Sequence, residues 1–287
     1  MIAAVSVLDR AEWRDREAAH VDRADGLTAG RRERAARGAT HPVDDFLYTY
    51  YSYKPSLLRR WHPGGGTVLA DGDERASWRW YRPRPEGVEV DEDAFRRERG
   101  PLLRAVAGIL SATAGREAGF GCFGMHEWAM VYRDRHTRHA VPLRLGAAGT
   151  DEVVEAHELR CTHFDAYRFF TADAEPRNTV RLSREQQATQ EQPGCLHANM
   201  DLYKWAVKLG PLTPGELLLD AFELARDIRV VDMRASPYDL RDWGVEPIPV
   251  ETYAGKRMYA AQQRAFAARA EPIRAALRRI AEGSRSG

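Results

Sequence analysis

Three short segments each carry a cysteine, a histidine and a carboxylate: CFGMHE with Cys122, His126 and Glu127, CTHFD with Cys161, His163 and Asp165, and CLHANMD with Cys195, His197 and Asp201. The chain has 3 cysteines and 9 histidines, so every cysteine stands beside a histidine in this pattern. Two chemistries need such sets. Thiolate and imidazole suit a transition metal, and Cys122, His126, His163, Cys195 and His197 would supply zinc, iron or haem with ligands. No C-x2-C pair exists, so the spacing is poor for a structural zinc finger. The other chemistry is cofactor-free proton transfer, for which a histidine with a nearby carboxylate is the usual pair. Asp201, Asp165, Glu127, His126, His163 and His197 are its candidates. His197 and Asp201 are four apart and would share one helix face.

Aromatic residues border these segments, and aromatic walls hold flat ligands by stacking. Trp128, Tyr132, Phe169 and Tyr203, with Asn199, are candidate substrate contacts. Arg234, before the turn ASPYDL, is placed to reach an anionic group. Gly119, Gly121 and Gly124 surround Cys122, and Pro193 and Gly194 precede Cys195, so both cysteines sit on loops of the kind that carry sites. The bland alternative treats each residue singly: core cysteines are small hydrophobes, core histidines are hydrogen-bonded, and Arg234 braces a turn.

The elements that must position these residues read as an α+β fold, one compact domain over 1–287 with an antiparallel sheet packed against several helices. Residues 1–40 read as a helical N-terminal arm anchored by Trp13, His20 and Leu27. The segments near 67–71 and 78–83 read as a strand pair, and 91–114 as a helix that Pro101 kinks or restarts. The stretch 127–159 reads as a three-strand meander with strands EWAMVYR, HAVPLRL and EVVEAHEL. HFDAYRFFT and NMDLYKWAVKL read as helices. Thr213, Pro214 and Glu216 read as a capped helix start, and IRVVDM as a short buried strand. Residues 256–287 form a basic last helix and tail, with 8 basic and 2 acidic side chains from Gly255 onward.

Over the whole chain 43 basic side chains meet 42 acidic ones, which argues against a protein that coats nucleic acid nonspecifically. A local patch remains: the aromatic run from Phe46 to Trp61 is interleaved with Lys54, Arg59 and Arg60, candidate phosphate contacts. No apolar stretch reaches the roughly 18 residues that cross a bilayer, and the N-terminus lacks a basic region before its apolar start. Three cysteines make no disulfide framework. A reducing, cytoplasmic setting is the expectation, with no membrane and no obligate protein partner. Walker, G-x-G-x-x-G, G-x-S-x-G and H-E-x-x-H signatures are absent.

The strings HPVDDFLYTYYS, LRRWHPG, FGCFGMHEWAMVYR, THFDAYRFFT, EQPGCLHANMDLYKWA and MRASPYDL resemble a bacterial family commonly labelled 3-methyladenine DNA glycosylase, over about Trp13 to Ala270. The resemblance implies a DNA-repair hydrolase that releases an alkylated purine from DNA or a nucleoside. The base would be flipped onto aromatic side chains, with Asp201, Asp165 or Glu127 as the assisting carboxylate. No glycine hairpin followed by a catalytic aspartate and no helical repeat is present, so the scaffold would differ from the helix-hairpin-helix and HEAT-like glycosylases. The alternative expectation is a metal- or haem-dependent enzyme acting on an aromatic small molecule.

Overall fold

A computed structural model of the chain describes residues 6–134 and 141–283. In chain order it contains β1 (Ser6–Leu8), α1 (Arg10–Ala36), α2 (Phe46–Tyr50), α3 (Pro55–Leu58), β2 (Thr67–Leu69), β3 (Tyr81–Arg84), β4 (Gly87–Val90) and α4 (Glu92–Ala114). There follow α5 (Met125–Ala129), α6 (Gly146–Glu155), α7 (Phe164–Tyr167), α8 (Gln187–Gln190), α9 (Leu196–Lys208), α10 (Gly215–Arg234) and α11 (Tyr253–Glu282). The protein is therefore a mixed helix-and-sheet fold, with helix predominating. No described helix is long and apolar enough to cross a membrane.

The chain divides into two compact units. Unit 1 comprises Met1–Ser111, Leu202–Glu223 and Pro272–Gly287, and unit 2 comprises Ala112–Asp201 and Leu224–Glu271.

Unit 1 holds a four-stranded sheet of order β1-β2-β4-β3, in which β1 and β2 are parallel and the other pairings antiparallel. The expected strands at 67–71 and 78–83 thus share a sheet, but β4 stands between them. The short β4, buried along Val88–Val90, has no clean alternation to announce it. α1 starts at an Asp9 cap, whose carboxylate accepts from the Glu12 amide at 2.8 Å. Trp13, His20, Ala24 and Thr28 are its buried face. Trp13 and Trp61 join Leu8 and Leu69 in one core cluster. α4 runs past Pro101 without ending there. The expected cap of α10 is corrected: Thr213 donates its hydroxyl to the Ala206 carbonyl at 3.0 Å, and Glu216 accepts from Arg16 and from Trp61 Nε1.

Unit 2 corrects the meander. The segment 127–133 contains the end of α5, and 152–159 the end of α6; the described part of the middle segment begins at Val141. Residues Met125 to Ala129 are all buried, so no hydrophobic period distinguishes helix from strand there. In α6 the buried residues are Thr150 and Val154, four apart, and the adjacent valines mimicked a strand. IRVVDM lies inside α10, where Leu224, Ile228 and Val231 form a helical face. Strand pairing in unit 2 is confined, among the described residues, to single bridges at Leu143–Tyr238 and Leu159–Asn178.

Candidate active site

The three Cys/His segments meet inside unit 2. Cys122 stands on the turn into α5, and His126 on its first turn. Cys161 and His163 precede α7, Cys195 precedes α9, and His197 opens α9. Cys122, His126, Cys161, Cys195 and His197 line one small pocket, with Tyr259 and Gln263 from α11 on its wall. It has room for about one water-sized group.

The turn carrying Cys122 is unusual. Phe123 has φ +50° and Gly124 φ +74°, two successive left-handed residues, and the Met125 amide donates to the Cys122 carbonyl at 2.9 Å. A left-handed phenylalanine costs on the order of 1–2 kcal/mol. At Gly124 a Cβ would also stand 3.1 Å from Ala235 Cβ and 3.3 Å from the Tyr259 ring, so a side chain there would be strained in its backbone and tight against both neighbours. The consequence is a thiol and an imidazole brought face to face: Cys122 Sγ is 3.4 Å from His126 Nδ1.

His126 Nε2 is 2.9 Å from Asp232 Oδ1 on α10. Asp232 is completely buried, and its other oxygen accepts from Arg229 Nη1 at 3.0 Å. The same nitrogen donates to Glu127 at 3.1 Å. Burial disfavours a charged His126, but the Asp232 carboxylate, its hydrogen bond and the Cys122 contact outweigh it, and the imidazole pKa is raised well above its ordinary value. Burial also opposes ionisation of Asp232, yet His126, His197 and Arg229 together hold its carboxyl below the usual range. Burial pushes Glu127 up, against the pull of Arg229.

His197 packs edge-on against His126, with ring centroids 4.5 Å apart, and stacks on His163 at 5.5 Å. Burial and the charge of His126 hold its pKa well below the ordinary value, so adjoining imidazoles are driven in opposite directions. His163 Nδ1 lies 2.8 Å from Glu191, and its Nε2 lies 3.7 Å from Asp201.

The three thiols are not equivalent. Cys161 is buried, and Asn178 holds its backbone, accepting from the amide at 2.8 Å and donating to the carbonyl at 3.0 Å. Burial raises the pKa of Cys161 and of Cys195, which keeps both as neutral thiols. Cys122 and Cys195 are both half-buried, and among the described residues it is Cys122 whose sulfur is set against an imidazole.

Among the described residues, two groups of side chains have ligand atoms close enough to hold a metal ion, His126, Glu127, His197 and Asp232, and His163, Asp165 and Asp201; in each, the atoms lie within 4.8 Å of one another. In the first, Arg229 already bridges Glu127 and Asp232. In the second, Arg184 holds Asp165 at 2.6 Å.

Other expected site residues lie elsewhere. Trp128 is fully buried and donates its indole N–H to the Ala235 carbonyl at 2.8 Å. Tyr132 donates to Glu155, and Arg168 lies over the Phe169 ring. Asn199 donates to the Pro193 carbonyl, and Arg234 to the Glu246 carbonyl. Tyr203 belongs to unit 1, in an aromatic cluster with Tyr51, Tyr53 and Phe222. Also in unit 1, Lys54 caps α3, Arg59 pairs with Asp25 at 2.8 Å, and Arg60 covers Trp78.

Sequence reasoning missed Asp232, Arg229, Glu191, Tyr259 and Gln263. Asp232 and Arg229 were available as an i,i+3 pair, but only to a reader who had made their segment a helix. No family model matches the chain, and neither a curated protein nor a solved structure matches it.

Proposed function

We propose that unit 2 is the catalytic part of a thiol-dependent hydrolase. Cys122 is the nucleophile, His126 its base and then its acid, and Asp232 the group that orients His126. The carrying observation is the line Cys122 Sγ–His126 Nδ1–His126 Nε2–Asp232 Oδ1, with steps of 3.4 and 2.9 Å, at the wall of a pocket. Nucleophile, base and orienting carboxylate in hydrogen-bond contact are the general arrangement for covalent catalysis. His126, whose raised pKa favours the imidazolium, already carries the proton from the thiol at Nδ1 when Sγ attacks an electrophilic carbon, and delivers it to the leaving group. Water then attacks the thioester, His126 again accepting the proton, and the thiol is released.

This reading accounts for the difference among the three thiols. The base release implied by the resemblance asks for a carboxylate facing a sugar beside an aromatic recess. Here Asp201 faces His163, Glu127 is bound to Arg229, and Trp128 is locked to a backbone carbonyl.

The test is limited iodoacetamide labelling of the native protein, with each cysteine mapped by mass spectrometry. Cys122 is expected to react at least about tenfold faster than Cys161 or Cys195, and His126→Gln is expected to remove that advantage. Equal rates at all three, or an unaffected His126→Gln, would sink the proposal. Incubation with alkylated DNA supplies the other arm. Free 3-methyladenine that persists in Cys122→Ser and vanishes in Asp201→Asn would replace the thiol hydrolase with a carboxylate-assisted N-glycosylase.

A further inference from the structure

We infer that the pocket is a site of thiol oxidation by hydrogen peroxide, in which Cys122 takes the oxygen and Cys195 closes a Cys122–Cys195 disulfide on it; the inference rests on Cys122 being the reactive thiol. The hydrolase uses one cysteine, yet all three cysteines of the chain line the same pocket. Among the described residues, neither group of side chains close enough to hold a metal ion includes a cysteine. A metal therefore does not account for the meeting of the thiols, and thiol–disulfide chemistry does.

The segments that carry Cys122 and Cys195 are stapled together. The Gly119 amide donates to Gln192 Oε1 at 2.7 Å, and Gln192 Nε2 donates back to the Gly119 carbonyl at 3.1 Å. The Gly194 amide donates to the same Oε1 at 2.7 Å. A Cβ on residue 194 would stand 2.5 Å from the Gly119 carbonyl oxygen and 3.0 Å from the Phe120 ring, so the two segments touch where glycine stands. Cys122 follows Gly119 by three residues, and Cys195 follows Gly194 directly. Both thiols border a space about one water across, and side-chain rotation into it brings the sulfurs together.

Cys161 is the poorer partner for Cys122. It is 4% exposed, its thiol donates to the His163 carbonyl at 3.5 Å, and Asn178 clamps its backbone on both sides. Cys195 is half-buried, as Cys122 is, and half-buried Thr162 and Gln192 border the same pocket. The two imidazoles of the wall suit two successive steps. His126 stands against Cys122, and His197 shares the pocket with Cys195 two residues before it in the chain.

The reaction balances with hydrogen peroxide as the oxidant. Cys122 Sγ, its proton on His126, attacks one peroxide oxygen, and the O–O bond breaks. His126 gives its proton to the departing oxygen, which leaves as water. The sulfur is oxidised to a sulfenic acid as the peroxide is reduced. His197, held neutral by burial, then accepts the Cys195 proton. Cys195 Sγ attacks Cys122 Sγ, the S–O bond breaks, and the hydroxide takes that proton and leaves as a second water. An external dithiol reverses the bond, returning both thiols and leaving as its own disulfide. The disulfide removes the nucleophile, so peroxide switches the hydrolase off until a dithiol restores it.

The experiment exposes the reduced full chain to a slight molar excess of hydrogen peroxide and blocks the remaining thiols with N-ethylmaleimide in denaturant. Tryptic peptides are then mapped by mass spectrometry without reduction. Cleavage after Arg116, Arg133, Arg160 and Arg184 puts the three cysteines on separate peptides. The expected product is the Cys122 peptide joined to the Cys195 peptide, cleaved by dithiothreitol and formed equally well in Cys161→Ser. Cys195→Ser is expected to abolish the link and to leave on Cys122 a sulfenic acid that dimedone traps. His126→Gln is expected to slow loss of the Cys122 thiol by about tenfold, because the thiolate is the form that attacks peroxide. A link from Cys122 to Cys161, a link between two chains, or Cys122 carried to sulfinic acid beside a free Cys195 overturns the inference. So does a Cys122 thiol that peroxide leaves intact although iodoacetamide labels it fastest. Should Cys195→Ser fail to fold, the native peptide map decides alone. Failure of the nucleophile itself reads differently, as Cys122 labelled by iodoacetamide no faster than Cys161 and Cys195, and it takes this inference with it.

Discussion

Both units bury charge, and they use it in opposite ways. In unit 1 the fully buried Arg75 donates to the Trp61 carbonyl at 2.9 Å, pairs with Glu17, and lies 3.9 Å over the Trp78 ring. Its guanidinium is a strut, and the three tryptophans around it are packing. In unit 2 the buried Arg229 binds two carboxylates, one of which, Asp232, also bonds an imidazole in contact with a thiol. Burial is therefore no guide to function here. What separates the two networks is where they end: one closes on backbone and rings, the other on a pocket lined by a thiol and two imidazoles.

The largest expected effect tests that ending. Cys122→Ser should lower hydrolysis by at least about 10²-fold, the scale of removing an activated nucleophile, while Cys161→Ser and Cys195→Ser act through folding alone. Comparable activity losses in all three, at equal thermal stability, would make the cysteines equivalent and erase the contrast.

Next is the pair Asp232→Asn and Arg75→Leu. Losing the carboxylate that orients His126 should slow Cys122 alkylation by about 10–10²-fold, within the range of general acid–base contributions. Arg75→Leu should leave the Trp61 carbonyl without its donor and cost about 1–3 kcal/mol of unfolding free energy. Cys122 reactivity should hold in the molecules that remain folded. Urea unfolding and labelling rates measured on both variants give the crossed result. Parallel losses in both assays would mean that the network of Asp232 is structural too.

Chelation sharpens the same point. The metal reading assigns Cys122, His126, His163, Cys195 and His197 to zinc, iron or haem, whereas the thiol reading gives Cys122 to substrate. Dialysis against a strong chelator should leave the labelling rate of Cys122 within about twofold, since ligated thiolates are shielded and freed ones react. A large rise on chelation, with stoichiometric metal in the dialysate, would exchange the thiol hydrolase for a metal centre.

How much of this was legible in the sequence depended on how each segment is buried. α1 could be read because one face is buried and an aspartate caps it; Trp13 and His20 stand out against charge. The Cys/His segments could be read because residue type alone marks them. α5 could not, since a helix buried on every side has no period to detect. α10 failed for a related reason. Its run Ile228, Val230, Val231 is β-branched, and local preference pointed to a strand while packing of Ala225, Ile228 and Asp232 on successive turns imposed a helix. That error hid Asp232, and with it the distinction between three similar cysteines. Gln263 was out of reach in principle, because nothing local tells a glutamine on a pocket wall from one elsewhere in a helix.

A pH measurement separates the units further. In unit 1, burial and the nearby Arg75 and Arg60 charges lower the pKa of His62 to about 3, and its Nδ1 lies 2.8 Å from the Tyr81 hydroxyl. The folded state therefore holds His62 neutral, while the unfolded chain binds a proton near pH 6.5. Its contribution to stability is fully present above about pH 6.5 and is lost as pH falls from there towards 3, at no more than about 1.4 kcal/mol per pH unit. His62→Gln should flatten that slope in urea unfolding between pH 6.5 and 4. An unchanged slope would transfer the acid sensitivity to other groups.

The smallest effect is expected at the basic run that the sequence offered as a phosphate contact. Arg59 is paired with Asp25 on the surface, and exposed pairs contribute about 0–1 kcal/mol. Arg60 covers Trp78, a contact of about 0.5–1 kcal/mol at an exposed site. The triple variant Lys54→Ala, Arg59→Ala, Arg60→Ala should therefore shift stability by under about 2 kcal/mol and leave Cys122 labelling unchanged. Its DNA affinity is the sharper observable. If these side chains meet phosphates, removing them should flatten the salt dependence of binding by nearly one logarithmic unit per lost contact. A flattened slope would give unit 1 a ligand of its own and end the contrast between a structural unit and a chemical one. An unchanged slope would leave the chemistry with the network that ends at Cys122.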